Sequence, residues 1–304
     1  MIKADLITGF LGSGKTSFME EYATLLSEMG RRVAVIVNDY GAINIDRLIL
    51  TERLKGICPV EMVIGGDTDC TRRRLKTKLI ALAMEKYEQV LIEPSGIFDA
   101  EEFLDLIYDE ALGRWYMPGS IIAVIDGEMT GRLGRNARYV LAAQLSKAGI
   151  AVLGRKGRGS VAETLDYLNG CLEEFKCDRH LESLFVWEKG ALGTGDAELF
   201  DGASYVSRNI EKLPVTEDGS FESVFFFNPG IKAEQAEEKL LALFSDKEAG
   251  LVLRVKGYIK TESGYLEINA SADSISKEET AVGQEVFIVT GEGLDKTKIE
   301  KYFE

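Results

Sequence analysis

The segment Gly9–Thr16 (GFLGSGKT) carries the clearest chemical pattern in the sequence, because it fits GxxxxGK(S/T). It follows an apolar run and precedes an amphipathic stretch, which is the strand–loop–helix context that this motif requires. Glycines let main-chain N–H groups surround a polyphosphate, and the N-terminus of a helix adds positive potential. Lys15 is expected to reach the β- and γ-phosphates, and the Thr16 hydroxyl is expected to bind Mg²⁺. The pattern predicts a nucleoside triphosphate site; a glycine-rich turn that matches by chance is the alternative.

Two further segments place acidic side chains where predicted strands end. Glu93 closes the run Leu91–Glu93, where an acid can orient a Mg²⁺-bound water, and Gly96 can offer its N–H to a γ-phosphate. This acid–glycine spacing is common in proteins, so its position downstream of the phosphate motif supplies most of its weight. Asp39 lies in Asn38–Gly41, which either faces a ligand at the carboxyl edge of a sheet or forms a plain turn.

Short apolar runs alternate with helical patterns over the first two-thirds of the chain. Several runs are continuous and rich in β-branched residues, as in strands that are buried on both faces of a parallel sheet. A helix is predicted over Lys15–Met29, with Gly30 as its C-terminal stop. The alternation predicts an α/β fold with a doubly wound, mostly parallel sheet. Together with the phosphate motif, it indicates an α/β fold of the P-loop NTPase kind. The runs are Ala4–Thr8, Val33–Asn38, Val90–Glu93, Ile121–Asp126, Ile150–Leu153 and Leu184–Trp187.

The pattern changes at the polar stretch Leu213–Ser220, which contains Pro214 and Gly219. The segments beyond it predict the order β-α-β-β-β-α and a small α+β domain with a mostly antiparallel sheet. We therefore expect a nucleotide-binding domain over residues 1–214 and a smaller α+β domain over residues 215–304. The predicted strands are Ser223–Phe227, Leu251–Ile259, Tyr265–Asn269 and Glu285–Thr290, and the predicted helices are Ala233–Phe244 and Asp295–Phe303.

Composition excludes several classes of function. The 304 residues include 36 Lys and Arg against 50 Asp and Glu, a formal charge of −14, which argues against binding to nucleic acid or to an anionic membrane. No apolar run reaches the roughly 18 residues of a membrane span, and no signal-peptide pattern opens the chain. Four cysteines are too few for a disulfide scaffold. We expect a soluble cytoplasmic protein whose cysteines are core residues, redox groups or metal ligands.

The sequence resembles the CobW-like P-loop GTPases over most of its length. Three stretches that end or follow predicted strands occur in the order typical of that family, and two stretches near the C-terminus resemble its small second domain. The resemblance implies a GTP-driven metallochaperone, or a protein that serves cobalamin or metal-enzyme assembly. It implies GTP and Mg²⁺ as cofactors and a client metalloenzyme or corrinoid protein as partner, and it leaves the oligomeric state open. The stretches are Gly9–Ser17, Asn38–Gly41 with Ile45-Asp46, Ile92–Gly96, Leu253–Tyr258, and Phe287–Gly291 with Leu294-Asp295.

The motifs and the resemblance together assign roles to individual residues. Lys15 is expected to stabilise the charge that develops during phosphate transfer, and Glu93 or Asp39 is expected to position water or metal. These three are the candidate catalytic residues. The residues expected to bind the nucleotide are Gly9, Gly12, Ser13, Gly14, Lys15, Thr16, Ser17, Gly96 and Arg155.

The candidate metal segment of this sequence differs from the family pattern. The family carries a Cys-x-Cys-Cys motif after a glycine, whereas here the run is Gly66-Asp67-Thr68-Asp69-Cys70. Thiolates favour Zn²⁺ and Cu⁺, whereas carboxylates favour harder ions. Asp67, Asp69 and Cys70 therefore either hold a metal such as zinc or cobalt with mixed oxygen and sulfur ligands, or they are loop and core residues that no longer bind metal. Cys58 can add a second thiolate only if the intervening chain folds back.

The expected base-recognition segment also differs. Related GTPases read guanine with Asn-Lys-x-Asp after a strand, but here Ile150–Leu153 leads into Gly154-Arg155-Lys156-Gly157. Arg155 stands near the position of the Lys, and its planar guanidinium can still stack on a purine face. A site without the Asp carboxylate cannot reject adenine by leaving that carboxylate unpaired. GTP is the expectation from the family, and use of ATP is the alternative.

Three kinds of activity are compatible with these residues. The first is a slow nucleoside triphosphatase that acts as a switch, with in-line attack of water on the γ-phosphate. The second is a nucleotide-gated binding module that hydrolyses poorly and regulates a corrinoid or metalloenzyme partner. The third is a small-molecule kinase, which is the weakest because no acceptor-binding signal is present.

Overall fold

The computed structural model of the chain describes residues 1–39, 50–64, 68–128, 133–154, 159–213, 222–272, 274–281 and 283–304. The chain divides into two compact units, Met1–Lys212 and Leu213–Glu304. Each unit contains its own sheet and its own cluster of buried apolar side chains. Within the described ranges, no helix is long and apolar enough to cross a membrane.

A parallel sheet of seven described strands forms the centre of the first unit, in the order β3-β2-β4-β1-β5-β6-β7. The residues of β1 and β4 are almost all buried, because helices cover both faces of the sheet. This confirms the α/β fold with a doubly wound parallel sheet that the apolar runs predicted. The strands are β1 (Ile2–Thr8), β2 (Val33–Asp39), β3 (Val60–Ile64), β4 (Gln89–Glu93), β5 (Tyr116–Ile125), β6 (Ile150–Leu153) and β7 (Phe185–Val186).

The helices of the first unit connect these strands. The first of them ends as the sequence predicted, with Met29 as the C-cap and Gly30 in a left-handed conformation at φ 84°. A serine begins another: Ser160 accepts a hydrogen bond from the Glu163 N–H, and the Glu163 carboxylate accepts one from the Ser160 N–H. The helices are α1 (Lys15–Glu28), α2 (Thr68–Met84), α3 (Ala100–Ile107), α4 (Arg135–Lys147), α5 (Val161–Glu174) and α6 (Thr194–Gly202).

Two strands of the first sheet differ from the sequence prediction. The edge strand β3 was not predicted, because it is a short run of five residues that contains a charged side chain. The strand β5 begins at Tyr116, five residues before the predicted start, although Pro118 and Gly119 both disfavour strands. The pairing of β5 with β1 shifts its register between Ala4 and Leu6, which accommodates the irregular segment.

An aromatic cluster fixes α1 and α6 against one face of this sheet. Phe200 of α6 lies edge-on to Phe18 and Tyr22 of α1 and to Phe185 of β7, with ring centroids 4.9–5.5 Å apart. Such edge-to-face pairs each contribute roughly 0.5–1.5 kcal/mol beyond the burial of their area. Helix α1 follows the phosphate motif, and its position is therefore set by packing against α6 and β7, which lie far along the chain.

The second unit is built on an antiparallel sheet in the order β11-β10-β9-β12-β8. Helix α7 and the short helix α8 pack on one face, where Phe303 stacks between Phe226 and Phe287. Gly257 is required beneath this cluster, because a Cβ there would lie 2.3 Å from the Phe287 ring. The elements are β8 (Glu222–Phe227), α7 (Ala233–Ser245), β9 (Leu251–Lys260), β10 (Tyr265–Ala270), β11 (Ile275–Thr280), β12 (Val286–Glu292) and α8 (Lys296–Glu300).

The order observed in the second unit is β-α-β-β-β-β-α, so the predicted order was wrong by one strand. The missing strand is β11, whose sequence ISKEET lacks an apolar run. Charged side chains are characteristic of edge strands, where they discourage pairing with another chain. Lys277 of β11 instead forms an ion pair with Glu237 of α7, with nitrogen and oxygen 2.9 Å apart.

A buried carboxylate lies in the middle of the first sheet. Asp5 of β1 is fully buried and accepts hydrogen bonds from the Ser120 N–H and the Gln89 side-chain amide. Asp201, nearby, pairs with Lys3 and Arg31. Burial raises the pKa of Asp5 to about 6, although its two hydrogen bonds lower it.

The raised pKa of Asp5 means that part of the folding stability depends on pH. Because its pKa is higher in the folded chain than in the unfolded one, its contribution is complete below about pH 4 and is lost as the pH rises through 6. The loss amounts to at most about 3 kcal/mol of unfolding free energy. We expect the Asp5→Asn variant to lack this component. The unfolding free energy of wild type minus that of the variant should therefore decrease between pH 4 and pH 7.

Urea denaturation at several pH values measures the difference. Asp105→Asn, which changes an exposed carboxylate of α3, is the matched control. A difference between wild type and Asp5→Asn that stays constant from pH 4 to pH 7 would contradict the prediction.

Candidate functional site

The phosphate motif forms a tight turn between β1 and α1. Its glycines adopt positive φ angles of 147° at Gly9, 81° at Gly12 and 95° at Gly14, a region that other residues rarely enter. Gly9 is also required for close packing, because a Cβ there would lie 2.3 Å from the Val124 carbonyl oxygen of β5. Gly14 then caps the N-terminus of α1. The turn therefore has the strand–loop–helix geometry that the motif predicts.

The lysine of the motif lies within the turn. Lys15 is 7% exposed, and its ammonium group donates hydrogen bonds to the carbonyl oxygens of Gly9 and Phe10 at 2.9 and 3.1 Å. Ser13 is buried as well, and its hydroxyl has no hydrogen-bond partner among the described residues. A buried hydroxyl and a buried ammonium group within a glycine turn can both donate hydrogen bonds to an anionic ligand with several oxygen atoms.

The first acid that the sequence singled out lies beside the motif. The Thr16 hydroxyl of α1 donates a hydrogen bond of 2.8 Å to the Glu93 carboxylate at the end of β4. The two residues are 77 positions apart and meet because β1 and β4 are neighbours in the parallel sheet. Oxygen atoms of this kind are the ligands that Mg²⁺ prefers.

The structure also fixes the backbone positions of Asp39 and Ser17. Val37 of β2 pairs with Glu93 of β4, so Asp39 ends its strand two residues beyond Glu93 at the same edge of the sheet. Ser17 lies in the first turn of α1. The carboxyl edge therefore brings the backbone of Asp39 toward the end of the sheet where Thr16 and Glu93 meet.

The glycine after Glu93 packs directly on the phosphate turn. A Cβ on Gly96 would lie 2.6 Å from the main-chain nitrogen of Leu11, so only glycine fits. The buried side chain of Gln144 on α4 donates a hydrogen bond of 3.0 Å to the Gly96 carbonyl. Sequence reasoning identified Gly96 but not Gln144, because no motif indicates a contact between residues 48 positions apart.

An acid that sequence reasoning left without a role also lies at this edge. Asp126 follows β5 and is 5% exposed, and its carboxylate accepts a hydrogen bond of 2.9 Å from the Glu128 N–H. The signal that could have singled it out is its position directly after a buried strand of a parallel sheet. It lines a small pocket together with Phe10, Ser13, Val124, Ile125, Leu133 and Leu141.

Several predicted site residues cannot be placed next to this edge. Asp67 and Arg155 lie outside the described residues, and Asp69 and Cys70 have described backbones in the first turn of α2. Cys58 packs against the core, and burial raises the pKa of its thiol to about 11. No group of three or more potential metal ligands occurs among the described side chains.

Comparison with known families agrees with the geometry of this edge. Residues 3–180, more than half of the chain, match the model of the family described as CobW/HypB/UreG, nucleotide-binding domain. The chain belongs to this family. The CobW/HypB/UreG match covers every element from β1 to the end of α5, including the phosphate turn, Glu93 and Gly96.

Curated relatives of this CobW/HypB/UreG chain include zinc chaperones. The zinc chaperone YeiR of Escherichia coli (strain K12) is 26% identical over 227 residues, 74% of this chain and 65% of that protein. The zinc chaperone YjiA of the same organism is 28% identical over 133 residues, 41% of this chain and 40% of that protein. The zinc-regulated GTPase metalloprotein activator 1 of Dictyostelium discoideum is 36% identical over 32% of this chain and 22% of that protein. The matches thus span less than two-thirds of each of these relatives.

The chain is also similar to solved structures of the YjiA GTPase. The Zn(II)-bound YjiA GTPase from E. coli covers 99% of this chain and 98% of its own, with 18% identity and a TM-score of 0.37. A triple mutant of the YjiA GTPase, also Zn(II)-bound, gives 16% identity and a TM-score of 0.39 over the same shares of the two chains.

The contact between Gly96 and the phosphate turn predicts a loss of stability on substitution. Gly96→Ala places a methyl group 2.6 Å from the Leu11 nitrogen, so the backbone of the turn or of the Gly96 segment must move. Overpacking of this kind costs about 1–3 kcal/mol of unfolding free energy. Urea denaturation measures the change.

The matched control is Gly170→Ala in α5. A Cβ on Gly170 meets nothing within 4 Å, and alanine is the better helix former by roughly 1 kcal/mol. The control variant should be more stable than wild type. Equal stability of Gly96→Ala and wild type would show that the turn and the Gly96 segment are not in close contact.

Proposed function

We propose that this chain binds a purine nucleoside triphosphate with Mg²⁺ at residues 9–17 and hydrolyses it slowly, as a switch for metal delivery to a client protein. The observation that carries the proposal is the Thr16–Glu93 hydrogen bond, 2.8 Å long, beside the glycine turn and Lys15. Three groups with separate roles in phosphoryl transfer thus lie together: main-chain N–H groups, an ammonium group and a hydroxyl–carboxylate pair.

The residues of the turn would act mainly through electrostatics. Lys15 now donates to two carbonyl oxygens of the turn, and these are contacts that phosphate oxygens can replace. In that position its charge stabilises the negative charge that grows on the transferred phosphoryl group. Glu93 or Asp39 would position the attacking water or the metal, and the Gly96 N–H would contact the γ-phosphate.

The residues present fit a magnesium ion. Thr16 supplies a hydroxyl oxygen, and Glu93 supplies a carboxylate beside it at the carboxyl edge of the sheet. Mg²⁺ is bound in proteins by one or two such oxygens together with phosphate oxygens and waters. When bound, the ion neutralises part of the phosphate charge.

The base of the nucleotide is proposed as guanine on the family expectation, with adenine as the alternative. The segment after β6 begins at Gly154 and contains Gly157, so it lacks the carboxylate that would pair with guanine. Without that carboxylate the discrimination between purines rests on shape and stacking, which are less selective.

The proposed cargo is a divalent metal such as zinc, held by Asp67, Asp69 and Cys70. Relatives named zinc chaperones support the choice of metal. The backbone of Asp69 and Cys70 lies in the first turn of α2, a position that favours negatively charged side chains. Carboxylate oxygens beside one sulfur suit borderline ions such as Zn²⁺ and Co²⁺. The proposed client is a metalloenzyme or a corrinoid protein.

A second candidate function is a nucleotide-gated binding module that does not hydrolyse. The altered segment after Gly154 and the two carboxylates in the metal segment favour it, because both depart from the pattern of the hydrolysing relatives. In this alternative, the chain regulates its partner through occupancy of the phosphate turn alone.

Removal of the lysine tests both candidates. We expect Lys15→Ala to bind a purine triphosphate at least about tenfold more weakly than wild type, because a charge-assisted hydrogen bond is worth roughly 1.5–3 kcal/mol. Phosphate release with Mg²⁺ should fall to the background. Calorimetry measures binding, and a phosphate-release assay measures turnover.

Lys55→Ala, which changes an exposed lysine, is the control and should behave as wild type. Binding without turnover above the Lys15→Ala variant would leave the non-hydrolysing module as the function. Failure of wild type to bind GTP or ATP at millimolar concentration would refute both candidates.

A second experiment tests the metal segment. We expect the variant Asp67→Asn, Asp69→Asn, Cys70→Ser to bind Zn²⁺ or Co²⁺ at least roughly tenfold more weakly, because metal affinity depends on deprotonated ligands. Calorimetric titration of both ions measures the change, and the absorption of bound Co²⁺ reports sulfur ligation.

The matched control is Cys58→Ser. Since Cys58 packs against the core, its replacement by serine should leave the metal affinity unchanged. Equal metal binding by the triple variant and wild type would remove residues 67–70 from the site.

A further inference from the structure

A glutamate of α1 joins the phosphate helix to the chain that follows β7. The Glu21 carboxylate accepts hydrogen bonds from the Trp187 indole N–H at 2.9 Å, the Gly190 N–H at 2.9 Å and the Leu192 N–H at 2.7 Å. We call Trp187–Leu192 the post-β7 segment. One carboxylate thus fixes three donors of a segment that lies 166 to 171 residues further along the chain.

The post-β7 segment lies on the side of the phosphate turn opposite to Glu93. In the sheet order, β4 flanks β1 on one side, and β5, β6 and β7 follow on the other. Thr16 and Glu93 occupy the β4 side and would hold the metal and the terminal phosphate. The nucleoside must then extend over the carboxyl ends of β5, β6 and β7, where parallel sheets bind ligands.

The Trp187 ring links the three segments that meet on this side. The indole is 6% exposed and lies edge-on to Phe18 of α1, with ring centroids 5.3 Å apart. A Cβ on Gly154, after β6, would lie 3.4 Å from the indole, and a Cβ on Gly14 would lie 3.7 Å from it. The ring therefore lies beside the end of the phosphate turn and beside Gly154, where the expected base-recognition segment begins.

We propose that Glu21 is a positioning residue for the nucleoside part of the ligand: it fixes Trp187 and the post-β7 segment against α1 before the nucleotide binds. This inference rests on the proposed function. A segment that is already ordered loses less conformational freedom on binding, so the fixed segment increases affinity without contacting the phosphates.

A carboxylate is needed for three donors, and glutamine cannot replace it. An ionised carboxylate has about four acceptor positions, whereas the amide of glutamine has a single acceptor oxygen and turns an NH₂ group toward the remaining donors. Glu21→Gln therefore leaves at least one N–H of the post-β7 segment without a partner, while it preserves the size of the side chain.

The test compares ligands that share the phosphates but differ in the nucleoside. GTP, ATP and inorganic tripolyphosphate, each with Mg²⁺, compete against a fluorescent guanine nucleotide for wild type, Glu21→Gln and Glu20→Gln. Glu20 is the matched control, because it precedes Glu21 on α1 and pairs with Arg53. We expect Glu21→Gln to weaken the binding of GTP and of ATP by at least about fivefold and to change the affinity for tripolyphosphate by no more than about twofold. Glu20→Gln should leave all three affinities unchanged.

A milder variant and a spectroscopic signal check the same point. Trp187→Phe removes the indole donor but leaves the donors at Gly190 and Leu192, so its loss of nucleotide affinity should be smaller than that of Glu21→Gln. In a Trp115→Phe background, Trp187 is the sole tryptophan. Its fluorescence should change more when GTP binds than when tripolyphosphate binds.

The outcomes separate this inference from the proposed function. Equal losses for nucleotides and tripolyphosphate in Glu21→Gln would mean that Glu21 supports the phosphate turn as a whole, which overturns the inference. The inference would also be overturned if Glu21→Gln bound GTP, ATP and tripolyphosphate as tightly as wild type does. If wild type binds no nucleotide at all, the proposed function itself fails.

Discussion

The site depends on backbone segments that approach one another more closely than any side chain permits. The carbonyl oxygen of Val124 lies against Gly9, and the main-chain nitrogen of Leu11 lies against Gly96. Each contact brings a strand of the parallel sheet or the chain after it onto the phosphate turn. Because a Cβ at either glycine would lie within 2.6 Å of backbone atoms, the arrangement of β1, β4 and β5 and the shape of the turn are inseparable.

This close packing explains how a ligand bound in the turn would affect the rest of the first unit. Glu93 and Gly96 belong to one segment after β4, and they meet Thr16 and Leu11 respectively. Gln144 holds the Gly96 carbonyl from α4. A displacement of the turn would therefore reach α4 through Gly96, since packed backbones cannot deform continuously.

Sequence patterns predicted the elements that depend on neighbouring residues, and they missed the strands and contacts that depend on residues far apart in the chain. The buried strands were found from continuous apolar runs, and the phosphate turn from a linear motif. The edge strands β3 and β11 were missed, because short or charged runs resemble loops when their pairing partner is unknown. The Gln144 and Glu21 contacts join residues 48 and at least 166 positions apart, so no local pattern indicates them.

The register of the sheet places the strand ends before the proposed metal segment at the same edge as the phosphate turn. Asp39, the last residue of β2, pairs with Ile64, the last residue of β3, and Val37 of β2 pairs with Glu93 of β4. Both ends therefore lie at the carboxyl edge that carries the phosphate turn, and the chain after Ile64 leads within a few residues into α2. If nucleotide exchange shifts Glu93, the pairing of β4 with β2 and of β2 with β3 gives that shift a route to the chain before α2. Because β3 pairs only with β2 among the described strands, it is the strand of this sheet region that can yield at the lowest cost in hydrogen bonds.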